Sequence, residues 1–204
     1  MLNKIFKINN AKQTSEAINS AVKILKNNGV AVFPTETAYG LAADFTDKIA
    51  VKKIFKIKKR GRNKLLPIII SDFKMAKKYF NFNKNSLILA KKYWPGPLTL
   101  ILNKKGQNKG KGVAVRVSNN KFANQLSKKL GKPITATSAN ISRENLCYNI
   151  FDVIKQMRQN KVKPNIFLDI GILPKNPPST IIDARDEKKI KIIRQGEIKI
   201  KDNS

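Results

Sequence analysis

The chain has 204 residues, about the length of one domain, with one cysteine, Cys147, and no histidine. These counts exclude an intramolecular disulfide framework, a cysteine-cluster metal site, HExxH zinc sites and both Ser-His-Asp and Cys-His catalysis. The 42 basic and 13 acidic residues give a net charge of +29, which favours phosphate-rich partners.

Helix and strand patterns alternate through the first third of the chain. Residues 13–28 place apolar side chains on one helical face, with Thr14 or Ser15 available as the N-terminal cap and Gly29 as the C-terminal stop. We expect a strand at 30–33, a polar loop at 35–37 that is followed by residues 38–41 without a strand assignment, a helix at 47–58 and an apolar strand at 66–70.

The same alternation continues to the C-terminus. The sequence Trp-Pro-Gly-Pro at 94–97 is a turn that ends one helix and opens a strand. We expect helices at 72–80, 85–93, 120–130 and 148–160, strands at 98–102, 113–117, 134–137, 166–170, 179–183 and 190–194, and loops at 103–112 and 171–178.

This interleaving predicts an α/β or α+β fold. No linker or internal repeat divides the sequence, so we expect one domain over residues 1–204. The apolar runs fall far short of the roughly 20 residues that cross a bilayer, and the N-terminus has no continuous apolar stretch. We therefore expect a cytoplasmic protein without a membrane partner.

The excess of positive charge has two explanations that the sequence leaves open. Seven of the 42 basic residues are arginine, and the other 35, all lysine, are spread evenly among many Asn and Ile residues. An A/T-rich genome produces that pattern, and an RNA-binding surface would produce the same total charge. The informative cations are therefore the few arginines and the lysines that lie inside motifs.

Polar side chains follow several predicted strands, which is where open α/β sheets place ligands. Thr35 and Thr37 follow the strand at 30–33, and Ser138 and Asn140 follow the strand at 134–137. Such hydroxyl and amide groups bind ribose or phosphate oxygens, but they also form ordinary turns and helix caps. Ser179, Thr180 and Arg194 give similar signals in the last two strands.

Two further sets of basic residues are candidates for anion binding. Lys58 and Arg60 lie at the end of the helix at 47–58, with Lys64 shortly after, and either clamp an anion or offset the helix dipole. Arg116 interrupts an apolar strand on the same face as Ala114, so it points either outward or into a cavity with an anionic partner. Neither a Walker A motif nor a GxGxxG loop after a strand is present.

Seven segments, in order, resemble the YrdC family and span nearly the whole chain. The length matches the short, single-domain members. The resemblance implies an α/β fold with helices around an open, twisted, mixed β-sheet and a positively charged cavity. The segments are PTETAYGLAADFTD (34–47), KKRGRNKLLPIII (58–70), YWPGPLTLIL (93–102), VAVRV (113–117), PITATSANIS (133–142), PSTIID (178–183) and IIRQGEI (192–198).

The resemblance also implies a reaction. The family makes L-threonylcarbamoyl-AMP from L-threonine, bicarbonate and ATP, with release of pyrophosphate, and a partner transferase complex uses the product to modify an adenosine beside the tRNA anticodon. We therefore expect a nucleotidyltransferase with these substrates, with Mg²⁺ accompanying ATP, and contact with tRNA as a further expectation.

Site residues follow from the same resemblance. The catalytic tetrad of the family matches Lys58, Arg60, Ser138 and Asn140, and no metal-ligating residue is expected. Threonine is expected at Thr37, Arg116 and Ser179, and the nucleotide at Arg60, Lys64, Ala136, Ser138, Asn140 and Arg194.

The sequence departs from the family pattern at three positions. Arg143 replaces the glycine of S-A-N-x-S-G, Gly61 replaces the proline of K-x-R-P, and Leu65 replaces the proline of K-P-L. These changes keep the expected contact side chains and alter the shape of the loops.

Two other functions stand beside this one. A basic module that binds double-stranded RNA or tRNA without catalysis would account for the charge, but the sequence has neither the aromatic pattern of an RRM nor a helix-turn-helix signal. A carbamoyl-transfer domain of the hydrogenase-maturation kind shares the implied fold. Those proteins are much longer and carry cysteine-based zinc motifs, which a single cysteine argues against.

Overall fold

The computed structural model describes residues 4–61, 64–107 and 110–200, so parts of the basic stretch at 58–64 and of the loop at 103–112 lie outside the described residues. Within these ranges the chain forms six helices and eleven strands. The helices are α1 (Ala11–Lys26), α2 (Lys48–Ile57), α3 (Phe73–Tyr79), α4 (Lys84–Tyr93), α5 (Lys121–Leu130) and α6 (Ile150–Met157). The strands are β1 (Lys4–Lys7), β2 (Ala31–Pro34), β3 (Tyr39–Ala42), β4 (Ile68–Ile69), β5 (Leu98–Leu102), β6 (Val113–Arg116), β7 (Ile134–Thr135), β8 (Thr137–Ser138), β9 (Ile166–Asp169), β10 (Thr180–Asp183) and β11 (Lys191–Arg194).

The strands form two mixed sheets rather than the single sheet that the resemblance implied. The first has the order β1-β9-β2-β3-β8, and the second has the order β11-β10-β5-β6-β4-β7. The segment predicted as one strand at 134–137 contributes to both sheets. Its first part, β7, pairs with β4 in the second sheet, and β8 pairs with β3 in the first. The chain thus crosses from one sheet to the other at Ala136. The combination of helices with mixed sheets confirms the predicted α/β class.

Both faces of the first sheet are covered by helices. On one face, α1 and α5 pack together with Phe33 and Leu168, and on the other, α2 and α6 pack against Leu41 and Phe167. The apolar positions of α1 at 17, 18, 21, 22 and 25 are all buried, which is the face that the sequence pattern predicts. Each buried Ile or Leu contributes about 1.5–3 kcal/mol relative to an exposed one.

Helices α3 and α4 cover one face of the second sheet, and the other face packs at β4 and β7, where Ile69 and Ile134 join the core that contains α5. Leu98, Leu100 and Val115 pack under α3 and α4, whereas the alternate positions Thr99 and Ala114 face a cavity. Because successive side chains along a strand point to opposite faces, at β5 and β6 one face of this sheet packs in the core and the other faces the cavity.

Local signals place some helix ends differently from the prediction. Asn10, not Thr14 or Ser15, caps α1, because its side chain accepts a hydrogen bond from Gln13 N at 2.9 Å. The helix ends at Lys26, and Gly29 N still donates to Ile24 O at 3.0 Å. The longest helix has 16 residues, and none in the described part of the chain is long and apolar enough to cross a membrane.

Candidate active site

A cavity of about 650 Å³ lies between the edge of the first sheet and the face of the second sheet that α3 and α4 leave uncovered. The loop between β2 and β3, together with β3 and β8, forms one wall, and β4, β5, β6 and β10 form the other. Residues that are far apart in sequence meet here because the two sheets converge at Ala136. The Ala136 N–H is occupied by Pro67 O at 2.8 Å, so a ligand in the cavity cannot use that donor.

Four cationic side chains line this cavity: Arg60, Lys64, Arg116 and Arg194. Among the described lining residues there is no Asp or Glu, and the remaining polar groups are hydroxyls and amides. Such a lining favours ligands that carry several negative charges, because the cost of bringing those charges together falls near fixed cations.

Lys58 lies behind the cavity wall with only 2% of its surface exposed. Its Nζ donates to Ser138 O at 2.5 Å and to both Asn140 O and Asn140 Oδ1 at 2.9 Å. Burial, and to a smaller extent the positive charge of nearby Arg60, lowers the pKa of Lys58 to about 8. Because its Nζ bonds oxygens of both Ser138 and Asn140, Lys58 fixes the turn that carries these two residues.

Ser138 is the member of this group that reaches the cavity. It lies opposite Gly40 in the β3–β8 pair, and its Oγ donates to Asn140 Oδ1 at 2.6 Å. A Cβ on Gly40 would lie 3.0 Å from the ring of Phe33, so a side chain there would crowd this wall. Asn140 in turn donates through Nδ2 to Glu144 O at 2.6 Å and stays behind the wall with Lys58.

Arg60 enters the cavity just after α2 ends. Lys59 adopts a φ of 49°, and this left-handed residue turns the chain so that Arg60 N still bonds Phe55 O at 3.0 Å. Its Nη2 donates to Leu65 O at 3.0 Å, while its buried Nε has no hydrogen-bond partner among the described atoms. Burial lowers the pKa of Arg60, and the free Nε is a donor available to an anion.

Arg116 faces the cavity from β6, together with Ala114, while Val115 lies in the core on the other face. The sequence left its direction open, and the structure settles it: the guanidinium forms an ion pair with Glu36. Glu36 also accepts a hydrogen bond from Ser118 Oγ at 2.9 Å. The buried cation therefore has the anionic partner that burial requires.

Ser179 and Arg194 form a second polar cluster on the same wall. Arg194 donates to Ser179 O through Nη2 at 2.8 Å and lies 3.2 Å from Ser179 Oγ, which is 2.9 Å from Thr99 Oγ1. Burial lowers the pKa of Arg194, and the positive charge of Arg116 lowers it further. Gly196 permits this packing, since a Cβ there would lie 2.2 Å from Pro178 O.

The loop between β2 and β3 presents two hydroxyls to the cavity. Thr35 Oγ1 donates to Ala38 O at 2.6 Å and lies 3.2 Å from Thr37 Oγ1. Thr35 thereby closes the turn, as an ordinary turn residue does, and Thr37 is left facing the cavity.

Eight of the residues assigned from the sequence line this one cavity, and Lys58 and Asn140 lie directly behind it. Thr99, Leu146, Tyr148 and Asn176 also line it and were missed. The sequence contains a signal that could have identified Thr99 as a cavity residue, because Thr99 is a polar residue in an apolar strand, as Arg116 is. The eight lining residues are Thr37, Arg60, Lys64, Arg116, Ala136, Ser138, Ser179 and Arg194.

Comparison with known proteins identifies the family. The model of the Sua5/YciO/YrdC family, described as telomere recombination, matches residues 23–196. The chain belongs to this family. Its membership confirms the resemblance drawn from the seven segments.

Relatives within the Sua5/YciO/YrdC family match over most of the chain. A Vibrio vulnificus (strain YJ016) protein named threonylcarbamoyl-AMP synthase is 31% identical over 188 residues, which cover 88% of this chain and 98% of that protein. The structure of P. abyssi Sua5 complexed with L-threonine has a TM-score of 0.80 at 29% identity and covers 96% of this chain, which spans only 58% of the Sua5 chain. E. coli YciO has a TM-score of 0.80 at 25% identity, with 96% of both chains covered.

Proposed function

We propose that this member of the Sua5/YciO/YrdC family joins L-threonine, bicarbonate and ATP into threonylcarbamoyl-AMP and pyrophosphate. The observation that carries the proposal is the convergence of eight residues, drawn from six segments of the sequence, on one cavity whose described lining residues include no carboxylate. The threonine complex of the related Sua5 and the name of the Vibrio vulnificus relative support the same reaction.

We assign the nucleotide to the side of the cavity that carries Arg60 and Lys64. The free Nε of Arg60 and the ammonium of Lys64 bind phosphate oxygens, and Ser138 Oγ bonds a ribose or phosphate oxygen. Ala136, where the sheets meet, packs against the nucleoside. Arg194, which is bonded only to neutral Ser179 atoms among the described residues, keeps its charge for the α-phosphate.

Threonine is assigned to the part of the cavity that carries Arg116, Thr37 and Ser179. Arg116 presents the guanidinium for the substrate carboxylate, and the hydroxyls of Thr37 and Ser179 are available to its polar groups. This placement points the amine toward the centre of the cavity, where bicarbonate joins it.

The chemistry then proceeds in two steps. The threonine amine attacks the carbon of bicarbonate and water leaves, which gives the carbamate. A carbamate oxygen attacks the α-phosphorus of ATP, and the bond to the bridging oxygen breaks as pyrophosphate leaves. Fixed cations offset the charge that gathers in this transition state, so that no histidine is needed.

Magnesium belongs with the substrate in this proposal. The described lining residues offer no carboxylate, and no cluster of three metal-binding side chains occurs in the described ranges. Mg²⁺ typically keeps several waters and binds through substrate phosphates. ATP therefore enters as its magnesium complex, and the product passes to a separate transferase that acts on tRNA.

The test is pyrophosphate release measured with each substrate omitted in turn. We expect release only when threonine, bicarbonate and Mg-ATP are all present, with threonylcarbamoyl-AMP detected by mass spectrometry. Release that does not depend on threonine, or no release at all, contradicts the proposal. Binding of RNA at physiological salt without any turnover would instead support the basic RNA-binding module.

A further inference from the structure

The ion pair between Arg116 and Glu36 is more enclosed than the Lys132–Asp44 and Arg185–Asp183 ion pairs. The Arg116 and Glu36 side chains are 10% and 18% exposed. Arg116 reaches the cavity, but Glu36 is not among the residues that line it. Glu36 therefore contacts Arg116 without lining the cavity itself.

Glu36 is itself held at two points. Ser118 Oγ donates to its Oε2 at 2.9 Å, and Asn176 Nδ2 donates to its backbone oxygen at 2.7 Å. Ser118, which follows β6, holds the carboxylate, and Asn176, in the loop before β10, holds the backbone of the same residue. A carboxylate with this support is a rigid anchor for a guanidinium.

The surroundings of Arg116 would otherwise drive it away from this position. Arg194 lies close enough for the two positive charges to interact unfavourably. A long buried side chain that loses its anionic partner either leaves the cavity or rotates among several rotamers. The negative charge of Glu36 holds the guanidinium at Nη1, and the Arg116 side chain still lines the cavity.

We infer that Glu36 is a positioning residue that orients Arg116 toward the carboxylate of the amino-acid substrate. This inference rests on the proposed function for the identity of that substrate. Glu36 does not take part in the bond-making steps, and it does not contact the nucleotide. Its effect should therefore fall on the amino acid alone.

The expected result is a separation of kinetic constants. In Glu36→Gln the shape is kept but the charge is lost, so a charge-assisted contact becomes a neutral one. We expect the KM for L-threonine to rise about tenfold, with the KM for Mg-ATP changed by less than about twofold. Glu36→Asp keeps the charge and should recover part of the loss, and exposed Glu16→Gln on α1 is the matched control.

A double-mutant cycle decides whether Glu36 acts through Arg116. Once Arg116→Ala has been made, adding Glu36→Gln should change the KM for threonine no further. Additive effects of the two substitutions, or an equal rise in both KM values, would overturn the inference.

A second readout does not depend on activity. With seven arginines in the chain, the Nε–Hε signals can be assigned by substitution and their hydrogen exchange measured by NMR. We expect the Arg116 signal to exchange slowly in the wild type and faster in Glu36→Gln. If the wild type releases no pyrophosphate, the proposed function fails, and unchanged exchange at Arg116 separately rejects the role of Glu36.

Discussion

Arg143 occupies a backbone conformation that suits glycine. Its φ is 78°, in the left-handed region, and its side chain is exposed. The family pattern has glycine at this position, and the structure supplies the physical reason. The residue lies between Ser142, which bonds Lys58 O, and Glu144, whose carbonyl accepts the hydrogen bond of Asn140, so this turn supports the candidate site.

The substitution Arg143→Gly should stabilise the protein. A side chain in the left-handed region costs about 1–2 kcal/mol, while the greater freedom of glycine in the unfolded chain costs about 0.5–1 kcal/mol. The difference predicts a gain of about 0.5–1 kcal/mol in the free energy of unfolding. For a chain of this length, that corresponds to an increase in Tm of about 1–4 °C.

Urea unfolding followed by circular dichroism measures this gain, and Arg158→Gly is the matched control. Arg158 is equally exposed but has a φ of −52°, so the same substitution should destabilise by about 0.5–1 kcal/mol. The two variants should therefore shift stability in opposite directions. If Arg143→Gly destabilises as Arg158→Gly does, the assignment of strain to residue 143 is refuted.

Four further substitutions test the candidate site and its surroundings. Arg116→Ala should raise the KM for threonine by about 10–100-fold with little change for ATP, because a charge-assisted contact is lost, and steady-state pyrophosphate release measures both. Thr99→Val removes the hydroxyl beside Ser179 and should raise the KM for threonine about fivefold, whereas an unchanged KM would show that Ser179 needs no support. Lys58→Ala should lower turnover at least about tenfold by releasing Ser138 and Asn140, with exposed Lys56→Ala as the control. Burial lowers the pKa of Lys58 to about 8 from an ordinary 10.5. The amine therefore loses its proton at a lower pH in the folded state than in the unfolded state. The unfolding free energy of the wild type relative to Lys58→Met should therefore rise as the pH increases from about 8 to about 10.5, and a flat difference over that range would contradict the burial of a charged amine.

The sequence predicts most elements because their patterns are local. The helices with a clear apolar face, such as α1 and α5, are found within a few residues of their predicted bounds, and Gly131 ends α5 with a φ of 73°. The strand β3 was not predicted, because Gly40 and Ala42 are weak strand formers. It forms because β2 and β8 pair with it on both sides, which no local pattern reveals.

In the candidate site, too, local patterns predict some features and only the packed structure reveals the others. The alternation of β6 correctly places Arg116 on the face of Ala114, but the partner Glu36 comes from a loop some 80 residues earlier in the chain, and only the packed structure brings the two together. Lys58 belongs to the motif in the sequence, yet its position behind the wall follows from the crossing of the chain at Ala136. The division into two sheets is likewise a tertiary property, because Thr135 and Thr137 have the same local preference and different partners.

The cavity and the whole chain differ in their kind of positive charge, because arginine predominates in the cavity and lysine in the chain. Three of the six arginines that the structure describes line the cavity, whereas Lys64 is the one lysine among its described lining residues, although lysine is five times as abundant in the sequence. Arginine presents a planar fork that binds carboxylate and phosphate oxygens in a fixed geometry, which the ammonium of lysine does not. A site that must align an amino-acid carboxylate with a triphosphate needs that geometry, while a diffuse surface charge does not. The net charge of +29 is therefore a poor guide to the reaction, and the three arginines that line the cavity are the better one.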